Sequence, residues 1–308
     1  MNTLVVGAGA IGQVFGFHLS QGGARVSFLV RRGHLLPSSR AFTLNRVERW
    51  GRTRTDAFRP DRFLTSLDEV RRERWDEVWL CVPSTSLEPG WIAALAAATG
   101  DATLIFLPAG IDVVSASSAP EERTVVGLIS LMSWLTEHGV TYWRPPLVAL
   151  VLAGPSVRRG AAIAALHRGG LPAIAGDARV AGAFGSAVLI PHVVALEGAG
   201  WSYGALVAGP WLSDSVRATR EASRVAAAHL GVRRPFLTLL VSTWVVRLVL
   251  GLARWLLPFP LADFFRAHFT KVRHQSEAQL REYIALGERH GQPTEALQRL
   301  VSRVFAPS

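Results

Sequence analysis

The 308-residue chain has one cysteine, Cys81, and one lysine, Lys271. A single thiol excludes a disulfide framework and a cysteine-rich zinc cluster, and no metal site is expected. The same scarcity fits a reducing, cytoplasmic setting. Arginine supplies every other member of the 33 Lys+Arg residues, against 23 Asp+Glu, for a formal net charge of +10. That balance attracts anions. The arginines are scattered, with no basic run interleaved with aromatics, so nucleic acid is not an expected partner. There is no internal repeat and no low-complexity linker. The N-terminus runs straight into an apolar strand, so no secretory signal is expected. The chain has one long apolar run, residues 236–257, bounded by Pro235 and Pro258. It is long enough to span a bilayer. Arg247 and Arg254, seven apart and on one helical face, would be costly in lipid. A buried or partner-covered helix is therefore expected there, and membrane contact is not.

What is present is globular. Hydrophobic residues make up 49% and charged residues 18%, which places the chain far from disordered compositions. Its length suits two domains with ample core. The most informative stretch is Gly7-Ala8-Gly9-Ala10-Ile11-Gly12, after Thr3-Leu4-Val5-Val6 and before an amphipathic segment. In a strand–turn–helix, the first glycine permits the tight turn. The second lets backbone N–H groups approach a pyrophosphate, and the third lets helix and strand pack closely. The helix N-terminus adds positive dipole where the anion sits. Dinucleotide binding is the reading this context supports. The second strand, 25–30, ends in Val30-Arg31-Arg32-Gly33. An NAD site would carry Asp or Glu there for the ribose 2′-OH. Two guanidiniums suit a 2′-phosphate, so NADP(H) is the expected cofactor.

Strands alternate with helices through the first half. Extended segments are expected at 42–44, 53–58, 77–82, 103–107, 125–129, 141–143 and 147–152. Helices are expected at 11–21, 91–99 and from a Ser66 cap to Val70. The fold class is therefore α/β, a Rossmann-like doubly wound N-terminal domain over 1–176. Apolar residues recur at helical spacing over 177–308, which reads as an all-α C-terminal domain for substrate and dimerisation. Helices are expected at 178–197, 213–230, 236–257, 261–290 (with a break) and 293–304. Ser213 or Asp214 is placed to cap the second and Gly231 to end it. A homodimer through the apolar C-terminal helices fits the same pattern.

This plan resembles the ketopantoate reductases (2-dehydropantoate 2-reductases). The resemblance rests on Val5 to Gly12, on Leu29-Val30-Arg31-Arg32-Gly33, and on Glu288-Arg289-His290-Gly291-Gln292-Pro293-Thr294. It implies NADPH and hydride delivery to the carbonyl of a small 2-oxo acid between the two domains. It also places the backbone at Val82-Pro83 and Ala109-Gly110 near the ribose and nicotinamide. Several polar positions of the family differ here. Its lysine after the 77–82 strand aligns with Pro83, and its Asn-Gly with Ala109-Gly110. Its catalytic lysine aligns with Gly182, two asparagines become Ser186 and Ile190, and its substrate-binding glutamate falls near Gln275 or Glu277. The resemblance thus implies a reductase whose small-molecule substrate is less polar than ketopantoate, with a carbonyl or imine as acceptor. Genuine ketopantoate reduction and non-catalytic NADPH sensing are the alternatives.

Hydride addition leaves an alkoxide that needs a cationic or acidic donor, and a glycine supplies none. His268, Lys271 and Gln275, at i, i+3 and i+7, share a helical face. Lys271 is the candidate proton donor, since lysine can lose its proton when desolvated and arginine cannot. Gln275 would orient substrate, with His268 beside it; an ordinary lysine on a solvated helix edge is the competing reading. Ser186 is a candidate hydrogen-bonding group on a stripe with Gly182, Ile190 and Glu197. His192 lies off that stripe and reads as structural.

Overall fold

Apolar side chains alternate onto two buried faces in the first strands. In β1 (Asn2–Val6), Leu4 and Val6 join one core while Val5 joins another. The strand β6 (Glu77–Leu80) splits Val78 and Leu80 from Trp79, and β7 (Thr103–Phe106) splits Leu104 and Phe106 from Ile105. Strands buried on both sides belong inside a mostly parallel sheet covered by other layers. The structure, a computed structural model, describes residues 1–34, 41–48, 51–83, 86–107, 119–146, 148–259, 261–271 and 273–305, without the side chains of His34, Arg254, Trp255, Leu256, Asp263, Ala267, His268 and Lys271.

The main sheet has eight strands. Their order is β12 (Ala173–Ala175), β11 (Leu150–Ala153), β8 (Thr124–Leu128), β7, β6, β1, β2 (Arg25–Leu29) and β5 (Phe63–Leu64). Pairing is parallel from β5 through β8; β11 runs antiparallel to β8, and β12 parallel to β11. The segments expected at 42–44, 53–58 and 141–143 do not join this sheet. As β3 (Phe42–Val47), β4 (Thr53–Phe58) and β10 (Gly139–Trp143), with β9 (Met132–Thr136), they form a second sheet of four strands, β4-β3-β10-β9.

Helix α1 (Ala10–Gln21) shares one core with both sheets. It is buried without a break from Gly12 to Leu19. Its Val14, Phe15 and Phe17 pack in one cluster with Phe28, Phe42, Phe58 and Tyr142. Phe15 stacks on Trp79 with ring centroids 5.3 Å apart, and Phe28 meets Phe42 edge-on at 5.4 Å. Burying each of these side chains contributes roughly 1.5–3 kcal/mol. Two polar side chains are caught in this layer and are paired. Gln13 Nε2 donates to the Ala8 carbonyl at 2.8 Å, and His18 Nδ1 lies 2.7 Å from the Gly169 carbonyl. Burial pushes His18 below its ordinary pKa, so a neutral ring donates that bond. On the other side, α2 (Leu67–Arg71) and α3 (Pro89–Ala98) supply Val70, Ile92 and Leu95 to the second core. The Ser66 hydroxyl caps α2 as expected, accepting from the Glu69 amide at 3.3 Å. Sequence reading left 153–176 largely unassigned. Helix α4 (Ser156–Arg168) lies there, burying only Ala162, Ala165 and Leu166, too short an apolar stripe to announce itself.

By contacts the chain divides into Met1–Ala181 and Gly182–Ser308. The division falls inside α5 (Ala178–Gly198), beyond the change of character read at 176. The second unit is helical: the rest of α5, α6 (Tyr203–Ala208), α7 (Trp211–Leu230), α8 (Phe236–Leu239), α9 (Thr243–Leu256), α10 (Leu261–Lys271), α11 (Arg273–Arg289) and α12 (Glu295–Phe305). By length and composition α5 could cross a membrane, yet Ala183, Ala187, Ile190 and Val194 are buried in this fold. Gly231 ends α7 in the left-handed region, at φ 64°.

Three expectations change here. First, neither Ser213 nor Asp214 caps α7. Pro210 stands at its N-cap, and Ser213 Oγ donates to the Pro210 carbonyl at 2.9 Å. Asp214 is buried and bound by Arg303 at 2.7 Å and Arg299 at 3.4 Å. Second, α12 is capped from a distance, because Glu221 on α7 accepts from the amides of Ala296 at 2.9 Å and Leu297 at 3.0 Å. Third, the run 236–257 is neither one helix nor buried. Ser242 accepts from the Val245 amide at 3.4 Å and starts α9 afresh, and the outer apolar face is exposed.

His192 on α5 tests the packing of this unit. Ser215 spends its proton on the Leu212 carbonyl at 2.9 Å, so Nδ1–H of His192 donates to Ser215 Oγ at 2.8 Å. Burial pushes the ring down to about 4 from 6.5. A depressed folded-state pKa means the unfolded chain binds more protons between those values, so stability falls as pH falls. The stability difference between wild type and His192→Asn is expected to be flat above pH 6.5. It should then shrink by up to about 1.4 kcal/mol per pH unit down to about 4. Urea titrations across that range measure it.

Candidate functional site

The β1–α1 turn stands where the sheet order reverses. From β1 the chain crosses to β2 on one side, and it later returns to place β6 on the other. Ligands of doubly wound sheets bind at such switch points, outside the carboxyl ends of the strands. Gly7 takes φ +95°, which only glycine adopts freely, and its amide donates to the Leu29 carbonyl at 3.0 Å. A Cβ on Gly7 would lie 2.8 Å from Val82 Cγ1, so the turn also abuts the end of β6. A Cβ on Gly12 would collide with the Gly7 carbonyl oxygen. Ala8, Ala10 and Ile11 are partly buried against the core.

Gly9 differs from its neighbours because a Cβ there would meet nothing within 4 Å. It is the N-cap of α1, with no side-chain cap and no acidic residue in the first turn. The first intrahelical bond runs from the Gln13 amide to the Gly9 carbonyl at 3.0 Å, which leaves the amides of Ala10, Ile11 and Gly12 for an anion. The residues present therefore fit a dinucleotide pyrophosphate. At the end of β2, Val30 donates to the Leu64 carbonyl at 2.9 Å, and a short 3₁₀ turn spans Arg32–His34. Arg31 and Arg32 are both exposed there, and neither makes an ion pair among the described residues. Cys81 leads out of β6, and burial pushes its thiol up, so it stays neutral and is no nucleophile. Val82 and Pro83 follow it, whereas Ala109 and Gly110 lie outside the described residues.

Ser186 and Gln275 are described in full, and His268 and Lys271 by backbone only. Ser186 Oγ is 2.7 Å from the hydroxyl of Tyr283, which donates to the Ala183 carbonyl at 2.6 Å. Burial pushes the Tyr283 phenol up, so this pair is a neutral relay between α5 and α11. Sequence reasoning missed Tyr283, although it continues the helical face of Gln275 at i+8. It also missed Ser276 and Gln279, which are buried on α11 with Ser276 Oγ and Gln279 Oε1 lacking a partner among the described residues. Glu197 takes the hydrogen bond of Arg273 Nε at 2.5 Å and is structural. His268 and Lys271 sit on α10 and Gln275 on α11. The single helical face drawn through all three therefore spans a boundary between helices.

The glycines separate binding from folding. Gly12→Ala is expected to lower both melting temperature and dinucleotide affinity. Gly9→Ala should keep the melting temperature and lose roughly tenfold in affinity, about 1.4 kcal/mol. Thermal denaturation with and without NADPH distinguishes the two.

Residues 3–148 match the family described as ketopantoate reductase PanE/ApbA. No curated protein matches the sequence. Among solved structures, the PanE/ApbA family ketopantoate reductase from Ralstonia eutropha JMP134 is 18% identical, with a TM-score of 0.76 over 99% of this chain and 97% of that one. The 2-dehydropantoate 2-reductase from Geobacter metallireducens GS-15 is 17% identical, with a TM-score of 0.75 over 99% of each chain. A D-mandelate dehydrogenase in complex with NADH is 16% identical, with a TM-score of 0.70 over 99% of this chain and 98% of that one. Residues 3–148 thus belong to the ketopantoate reductase PanE/ApbA family of oxidoreductases, and the chain as a whole has the ketopantoate reductase fold.

Proposed function

We propose that the protein is an NADPH-dependent reductase that delivers hydride to the carbonyl or imine carbon of a small substrate less polar than ketopantoate. The observation that carries the cofactor half is the open space at Gly9, on the uncapped N-terminus of α1, with the exposed Arg31 and Arg32 at the end of the adjacent β2. Gly7, Gly9 and Gly12 with the amides of Ala10 and Ile11 would hold the pyrophosphate. Arg31 and Arg32 would bracket the 2′-phosphate by charge-assisted, forked hydrogen bonds. Bound NADPH supplies the hydride.

The substrate half rests on what replaces the family's polar groups. Pro83, Ala109, Gly182 and Ile190 offer neither charge nor a side-chain donor, and Ile190 is buried. A small carboxylate would find few partners there, whereas an apolar substituent loses nothing. The alkoxide still needs a proton. Lys271, the lone lysine of the chain at the end of α10, is the assigned donor, with Gln275, His268 and Ser186 as candidate orienting groups. The NADH bound to the D-mandelate dehydrogenase favours a second reading, in which NADH serves instead.

Fluorescence titration separates the cofactors. Replacing Arg31 and Arg32 with alanine is expected to raise Kd for NADPH at least roughly tenfold, as for loss of a charged hydrogen bond of about 1.5–3 kcal/mol, with NADH affinity unchanged. Equal loss for both cofactors would remove the 2′-phosphate assignment. In a carbonyl and imine panel that includes ketopantoate, Lys271→Met should lower turnover roughly 10²–10⁴-fold at unchanged NADPH affinity. Unaltered turnover would strike Lys271 from the donor role.

A further inference from the structure

Helices α8 and α9 carry an apolar surface that nothing in the described chain covers. Phe236 is 71% exposed, Leu237 76% and Trp244 70%, with Leu240, Leu248 and Leu252 each at 46%. Single exposed apolar residues are ordinary, but a contiguous patch of this kind marks an interaction surface. The polarity of α9 is reversed for a helix of a globular unit. Trp244, Leu248 and Leu252, at i, i+4 and i+8, form the outward stripe. The arginines hold the segment to the body from behind. Arg247 Nη2 donates to the Val207 carbonyl at 3.2 Å, and Arg220 Nε donates to the Val241 carbonyl at 3.2 Å.

Charge selects the occupant. Residues 231–271 contain six basic residues against one acidic, a net +5 within a chain of net +10. Arg233 and Arg247 are exposed beside the apolar patch. A symmetric pair of copies meeting on this face would bring the same cationic cluster together twice, and like charges oppose that contact. Anionic headgroups neutralise the cluster instead. The composition also suits a headgroup boundary, with Trp and Phe beside Leu on the outer face and Arg at the flanks. At 14 residues α9 is too short to cross a bilayer, which takes about 20, so it would lie in the interface plane. We propose that α8 and α9 dock the protein on an anionic lipid surface, with Phe236, Trp244, Leu248 and Leu252 inserted among the headgroups and Arg233 and Arg234 paired with phosphates.

Co-sedimentation of the full chain with vesicles tests this without reference to activity. The expected result is binding to phosphatidylcholine vesicles containing phosphatidylglycerol, weak binding to phosphatidylcholine alone, and release by high salt. Trp244→Glu with Leu248→Glu should cut binding at least roughly tenfold, and so should Arg233→Glu with Arg234→Glu. These side chains are exposed or peripheral, and circular dichroism melts verify that both variants stay folded. Equal binding to both vesicle types overturns the proposal, as does wild-type binding by either folded variant. A chain that ignores both vesicles and sediments as a dimer dissolved by the Trp244 and Leu248 changes assigns the face to a second copy instead.

Discussion

Helix α1 sits against strand β1 only because position 12 has no side chain. A methyl group there would occupy the place of the Gly7 carbonyl oxygen. Much of the first unit follows from that approach. Gly7 must turn through positive φ to bring its carbonyl under the helix, and its own Cα then lies against Val82 at the end of β6. The helix is thereby seated deeply enough for Phe15 to stack on Trp79, while Phe17 and Val14 join the aromatic residues of the second sheet. The same seating exposes the first amides of α1 at the switch point, beside the open space at Gly9. One steric constraint thus serves core packing and anion binding together, and a substitution at Gly12 would disturb both.

Polar groups in the second unit are spent on holding helices together. Asp214 binds two arginines of α12, Glu221 caps the same helix, and His192 ties α5 to α7 as a neutral ring. The Ser186–Tyr283 pair links α5 to α11 in the same way. Side chains that look reactive in isolation are here neutral or fully paired. This narrows the polar groups open to chemistry on α11 to Gln275, Ser276 and Gln279. It also sharpens the significance of Gly182, because no buried cation of the second unit stands in its vicinity among the paired groups described.

Much of the first unit was legible because its signals are local. The glycine fingerprint, the period-two alternation in β1, β6 and β7, the Ser66 cap and the Gly231 stop each depend on a few neighbouring residues. The elements that escaped have their explanation far along the chain. Helix α4 buries little more than alanine, and β9 matters only as the edge partner of β10. The segments at 42–58 read as extended, but nothing local says they build a sheet of their own over α1. Asp214 has the chemistry of a cap and the spacing of one, yet its partners lie about 85 residues away. The 236–257 run was read as covered because apolar residues normally are; its break at Ser242 and its exposure depend on which faces the rest of the unit leaves unfilled.

For this protein, the linear sequence determined the class of fold, the dinucleotide turn, the cationic end of β2 and the loss of a lysine at Gly182. These follow from steric and electrostatic rules that act within a few residues. Tertiary structure alone decided which polar side chains are consumed by packing, where the second sheet lies, that Gly9 faces open space, and that α8 and α9 turn their apolar face outward. Those outcomes depend on desolvation and on contacts between distant segments, and no local pattern encodes either.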